Sequence, residues 1–147
     1  MTWRPTEFED LHRINLPDAD AEADVRSILP DTEQSREMLY ADARTWEDDG
    51  ELLAIVGVAF QWKGVGVVWT LITDAAKARG VVLTRGVVRF LNELYNERGY
   101  WRLQATVEEG DDEAHVWIFR LGFSHEGTMT AYAPDQKTHD LYARVEL

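Results

Sequence analysis

The chain is 147 residues long, 45% hydrophobic and carries six tryptophans, enough apolar mass for one self-supporting domain spanning 1–147 and too much for global disorder. Its formal charge of −12 argues against direct nucleic-acid binding and against anionic membranes. The absence of cysteine removes disulfides, thiol catalysis and cysteine–zinc chemistry.

No apolar run approaches the roughly 20 residues of a membrane span, and the N-terminus lacks the pattern of a secretion signal. The expectation is a soluble protein with no membrane partner. Charge is unevenly spread. Between Ala75 and Asn92 there is no carboxylate, whereas Lys77, Arg79, Arg85 and Arg89 are basic. Such a stretch suits an anionic ligand, or equally a cationic helix face paired with acidic neighbours.

In chain order, Thr2-Trp3-Arg4-Pro5 reads as a short strand that its proline confines to an edge or an end. Thr6 is placed to cap a helix over Glu7–Ile14, with Leu11 and Ile14 facing inward. Asp18 is placed to cap a second helix to about Ile28, and Asp31 with Gln34 a third to about Ala43, using Met38 and Leu39 as apolar contacts. Asp48-Asp49-Gly50 is a hairpin signal. It leads into an almost continuously apolar strand, Leu52–Gln61, then a turn at Lys63–Gly66 and a second buried strand, Val67–Thr73.

Asp74–Gly80 reads as a linker, and Leu83, Val87, Leu91 and Leu94 mark a helix running to about Arg98, capped by Gly99. Gly86 within it costs about 1 kcal/mol relative to Ala, which close packing against a sheet would offset. Trp101–Val107 alternates as a strand. After an acidic break at 108–113, Ala114, Trp117, Ile118 and Leu121 lie on one helical face that ends at Gly122. Ser124–Tyr132 and His139–Val145 complete a hairpin. The resulting order, β-α-α-α-β-β-β-α-β-α-β-β, predicts an α/β fold with a mixed sheet covered by helices. The four histidines show no metal-ligand spacing, so no metal is expected. Tyr132 and Tyr142 alternate along the final hairpin, as core packing or as the lining of a cleft.

This order resembles the GNAT superfamily of acyl-CoA-dependent N-acyltransferases. The opening Arg4-Pro5 before an acidic helix start is similar to that family's N-terminus, and Asp111-x-x-Ala114 with Leu121-Gly122-Phe123 resembles its Asn-x-x-Ala…Leu-Gly-Phe segment. Arg79-Gly80-Val81-Val82-Leu83-Thr84 stands where the family has an Arg/Gln-x-x-Gly-x-Gly/Ala loop. Val65–Asp74 and Trp117–Phe123 also look like segments of GNAT-like proteins of short-tailed phages, including the internal virion protein A group.

The resemblance implies acetyl-CoA, with its pyrophosphate at a helix start formed by Arg79, Gly80, Val81, Val82, Leu83, Thr84 and Arg85. Its body would lie along the strand carrying Trp69, Leu71 and Ile72, between Val67–Thr73 and Trp101–Val107. Val82 and Thr84 replace the motif's glycines, which implies weaker binding. A side chain costs about 1–2 kcal/mol if either position needs a left-handed backbone; if the loop is simply a helix start, the N–H groups of Val82, Leu83 and Thr84 survive and their Cβ atoms crowd the phosphates. Ile118 stands where many members carry a general-acid Tyr. Asp74, Glu108 and Glu109, at strand ends, are the candidate bases, against the alternative of solvated loop charge. Three functions follow: an N-acetyltransferase with an altered site, acting on an amine-bearing acceptor in the cytoplasm of a host cell; a non-catalytic virion or assembly protein with a phage or host protein partner; or an acidic decoy of a basic protein.

Overall fold

A computed structural model describes residues 2–16 and 42–147. The helices expected at 18–28 and over most of 31–43 lie outside the described residues. The elements are β1 (Thr2–Pro5), α1 (Asp10–Arg13), β2 (Asp42–Asp48), β3 (Glu51–Trp62), β4 (Val65–Ile72), α2 (Asp74–Lys77), α3 (Gly80–Glu97), β5 (Arg102–Glu108), α4 (Asp112–Arg120), β6 (Ser124–Met129) and β7 (His139–Val145). Seven strands form one mixed sheet in the order β1-β2-β3-β4-β5-β7-β6, with β4 and β5 parallel. The chain packs as two compact units, one from residues 1–60 and 68–91, the other from 61–67 and 92–147.

The first unit is built on an interior ion pair. Asp10 is fully buried and accepts from both terminal nitrogens of Arg4, at 2.7 and 2.9 Å. The Glu7 N–H at 2.8 Å and the Thr45 hydroxyl at 3.0 Å complete its shell. Arg4 also reaches Glu47, with Nε 3.2 Å from the carboxylate. One carboxylate thereby joins β1, α1 and β2. Thr6 is not the helix cap expected of it. Its hydroxyl is spent on Thr45 at 2.8 Å, and α1 is a single turn that begins at Asp10. Leu11 and Ile14 do face inward, packing with Leu52, Ile55 and Leu71.

β2 and β3 meet in a tight hairpin whose turn residues, Asp49 and Gly50, both have positive φ (53° and 83°), as a type I′ turn requires. Ala43 belongs to β2, because its register opposite Gly57 claims it for the sheet. The β2–β3 register slips between Trp46 and Glu47, and Leu53 is the extra residue. Its carbonyl accepts from the Thr73 N–H (3.0 Å) and hydroxyl (2.7 Å), and Thr73 in turn caps α2 through the Ala76 N–H. The expected linker 74–80 is therefore a capped helical turn followed by the first residue of α3.

α3 buries Leu83, Val87, Phe90, Leu91 and Leu94, the stripe expected at helical spacing. A Cβ on Gly86 would lie 2.3 Å from the Trp3 indole nitrogen, and Trp3 is itself stacked on Trp46 with ring centroids 5.6 Å apart. The close packing expected of Gly86 is met by β1.

In the second unit, Val65–Val67 pair with Arg102–Gln104, and β5 pairs with β7 along its whole length. The turn before β4 is shorter than expected, only Lys63-Gly64, with the Trp101 indole lying flat on Gly64. Arg144 gathers this unit: its guanidinium lies over the Tyr95 ring at 4.9 Å and donates to Asn92 at 2.9 Å and to Glu146 at 2.7 Å. Its carbonyl accepts from the Tyr95 hydroxyl at 2.7 Å, and burial pushes that phenol up to about 12.

Two outcomes follow for stability. Burial raises the Asp10 carboxyl, but hydrogen bonds from Arg4, Glu7 and Thr45 outweigh it, so the folded value lies below the ordinary one. The stabilisation is present above the unfolded carboxyl value, about 3.9, and is lost as pH falls through the folded value. Asp10→Ala should cost about 3–5 kcal/mol in urea unfolding at neutral pH and flatten the acid limb of the stability curve. Gly86→Ala should destabilise by about 1–3 kcal/mol through overpacking, and in a Trp3→Ala background should instead recover the roughly 1 kcal/mol helix-propensity gain.

Candidate functional site

At the end of β4 the chain makes a capped turn, α2, and then starts the 18-residue α3. The first bond of the α3 ladder is Leu83 N–H to the Arg79 carbonyl, 3.0 Å. The N–H groups of Gly80, Val81 and Val82 thus precede the ladder, and the positive end of the helix dipole lies there. The amides ahead of the ladder are thus those of Gly80–Val82 and not the expected Val82, Leu83 and Thr84, since Leu83 and Thr84 are already inside the helix. Val82 and Thr84 occupy helical backbone, and neither has positive φ.

A Cβ on Gly80 would meet nothing within 4 Å, so the backbone is open to approach. Val81 and Val82 are exposed, Leu83 is buried in the core, Thr84 is half-buried and Arg85 is exposed. Arg79 is held by Asp48 of the β2–β3 turn, Nη1 to Oδ2 3.0 Å, and this contact draws the Asp48 carboxyl below its usual range. On β4 the Trp69 indole is stacked against Gly57 and packs on the Leu11–Leu71 cluster. The Leu71 side chain is buried in that cluster and Ile72 is half-buried. Leu71 therefore offers an outside ligand only its backbone.

Asp74, the first residue of α2, borders a cleft of about 390 Å³ with Arg13, Asn15, Leu16, Glu51 and Leu52. Of these only Asp74 was singled out from the sequence. Nothing in the spacing ties residues 13–16 to 51 and 74; they meet because Asp10 fixes α1 and the bulge at Leu53 fixes Thr73.

The other two candidate bases lie in the second unit. Glu108 is ion-paired with Lys137 at 3.0 Å, a contact that raises the lysine, and its carbonyl lies 3.2 Å from His115 Nε2. Glu109 is exposed, with its N–H bonded to the Thr138 carbonyl at 2.9 Å. Ile118 is buried, as its place on the apolar face of α4 requires.

Sequence reasoning missed a polar network on β6, β7 and α4. Asp140 accepts from Thr128 (2.7 Å) and lies 3.0 Å from His125 Nε2 and 3.6 Å from His115 Nε2. His115 Nδ1 lies 2.7 Å from the Tyr142 hydroxyl. Thr128 and His125 together hold the Asp140 carboxyl below its ordinary value. Tyr142 is thus a buried partner of His115, whereas Tyr132 is exposed. Glu126 is the bulged residue of β6, and its carboxylate takes Arg102 at 2.6 and 3.0 Å. Among the described residues no group of three or more His, Asp or Glu is placed to hold a metal ion. No helix among them is long and apolar enough to cross a membrane.

Comparison with solved structures decides the architecture. The chain is similar to Ard1 of Thermoplasma volcanium (13% identity, 99% of this chain and 97% of that chain, TM-score 0.72). It is also similar to a GNAT-family acetyltransferase of Bacillus anthracis (15%, 97% and 93%, TM-score 0.70). A third likeness is to ribosomal-protein-S5-alanine acetyltransferase of Vibrio fischeri (12%, 97% and 91%, TM-score 0.71). This is the GNAT fold. At such identities the likeness is one of fold, and activity is a separate question. No protein-family model matches the sequence, and no curated protein matches it.

Helical backbone at Val82 and Thr84 has a measurable consequence. Val82→Gly and Thr84→Gly should each lower stability in thermal unfolding, by roughly 0.5–1 kcal/mol, the usual cost of glycine in a helix. A side chain strained in a left-handed conformation would give the opposite sign.

Proposed function

We propose that the protein is an acetyl-CoA-dependent N-acetyltransferase that acts on an amine-bearing acceptor. One observation carries the reading: α3 begins at an unobstructed glycine, in a stretch where residues 75–92 contain no carboxylate and four basic side chains. On a GNAT fold this is where a pyrophosphate fits. Gly80 leaves the backbone accessible, the amides of Gly80–Val82 point along the helix axis, and Arg85 supplies charge nearby. The names of the structural neighbours, N-acetyltransferases among them, support the same chemistry.

When bound, acetyl-CoA supplies the acetyl group: a neutral amine attacks the thioester carbonyl carbon, the C–N bond forms, the C–S bond breaks, and the amine proton ends on the thiol. The chain's own part is to hold the pyrophosphate at α3 and to offer β4 backbone N–H groups to the carbonyl. Exposed Val82, in place of a glycine, adds a Cβ beside the phosphates and weakens the hold; Arg79, already engaged by Asp48, adds less charge than its position suggests.

Buried Ile118 and the ion-paired Glu108 favour a second reading, a non-catalytic GNAT-fold protein of a phage particle or its assembly. That reading expects no turnover and a stable protein partner.

The chain has no cysteine, so a thiol reagent reports released CoA without background from the protein. At acetyl-CoA near 100 times the dissociation constant, unfolding should require about 2.7 kcal/mol more free energy, and thiol release should depend on added amine. A thermal shift without thiol release would favour the non-catalytic reading. No shift at millimolar acetyl-CoA would remove the transferase.

A further inference from the structure

We propose that the cleft between the exit of α1, the β2–β3 turn and the start of α2 is a binding site for a small amino acid, with its ammonium on Asp74 and Glu51 and its carboxylate on Arg13. The inference deepens the proposed transfer reaction by naming its acceptor class, yet the binding itself needs no acetyl-CoA.

The cleft volume, about 390 Å³, lies within the roughly 300–1,000 Å³ range of small-molecule sites. Its walls carry two carboxylates, one guanidinium, the Asn15 amide and two leucines. Thr73 also lines it, but its hydroxyl is spent on the Leu53 carbonyl and the Ala76 N–H. The charged groups are differently placed. Among the described residues neither Asp74 nor Glu51 has an ion-pair partner, and Arg13 pairs with neither of them. Among the described residues the only ion pair of Arg13 is a long one, 3.9 Å to Asp10, whose carboxylate is already filled by Arg4, Glu7 and Thr45. Opposite charges therefore border one small cleft without closing on one another.

A ligand carrying both signs of charge completes that arrangement, with ammonium to carboxylate and carboxylate to guanidinium. A simple amine would leave Arg13 unmatched; a simple carboxylate would face two like charges. Leu16 and Leu52 offer an apolar wall, which suits an aliphatic side chain. Asp74, accepting from the bound ammonium, is also positioned to take a proton from it, the step that makes the nitrogen a nucleophile.

The experiment is calorimetric titration of the full chain, without acetyl-CoA, using three molecules that share one branched alkyl group: L-leucine, 3-methylbutylamine (leucine without its carboxylate) and 4-methylpentanoate (leucine without its amine). Leucine should bind, and each single-charge analogue should bind at least about tenfold more weakly, the loss expected for one charge-assisted contact. Arg13→Gln should bring leucine down to the level of 3-methylbutylamine while leaving that amine unchanged. Asp74→Asn and Glu51→Gln should weaken leucine and the amine alike. All three side chains are exposed at the surface, so folding is expected to survive, and circular dichroism checks it. Absence of leucine binding at about 10 mM overturns the proposal, as does equal binding of leucine and 3-methylbutylamine. Leucine binding by a protein that neither binds nor turns over acetyl-CoA would keep this site and remove the transferase. Turnover of other amines with no leucine binding would remove this site alone.

Discussion

The first unit depends on one buried carboxylate. Asp10 lies where water cannot reach, and an ion in such a place is tolerated only when paired and hydrogen-bonded. Its shell does both, and every donor comes from a different stretch of chain: Arg4 in β1, Glu7 ahead of α1, Thr45 in β2. The cost of removing any one donor is what keeps the three stretches in place. α1, a single turn too short to be stable by itself, is oriented by this contact. From its end come Arg13, Asn15 and Leu16, so the cleft inherits its shape from a carboxylate that does not line it.

Tryptophan lying on glycine recurs through the fold. Trp3 lies on Gly86, Trp69 on Gly57 and Trp101 on Gly64, each so close that a Cβ would lie within 2.5 Å of the ring. The indole supplies a large apolar area and the glycine removes the atom that would hold it off. These contacts set how near β1 comes to α3, how β3 lies beside β4 in the sheet and where the chain enters β5. Gly86 is a poor helix former that earns its place through such a contact, which is why local propensity alone misjudges it.

Much of the fold was legible in the sequence, and the reasons are physical. Asp49-Gly50 is nearly obligatory for the two positive φ values of a tight hairpin; the α3 stripe repeats for more than three turns; Gly122 at φ 93° ends its helix as glycine does. What was not legible depends on contacts distant in sequence. α2 looked like a linker because its cap, Thr73, is anchored to the Leu53 carbonyl 20 residues away. Thr6 looked like a cap because nothing local reveals that Thr45 will claim its hydroxyl. For the candidate site, the start of α3 was legible close to where the structure has it, and Asp74 was named as a candidate base. Its neighbours across the cleft were invisible, since their proximity comes from a bulge and a buried ion pair.

The bulge at Glu126 has a consequence of its own. Strand side chains alternate, so position along a strand behaves like a reading frame with two phases. His125 and Thr128, three apart, should fall in opposite phases; the extra residue shifts the frame, and both reach Asp140. The polar network is thus encoded by a residue count as much as by residue identity. Two chains could keep every member of such a network and lose it by one deletion, or share few identities and retain the same phase.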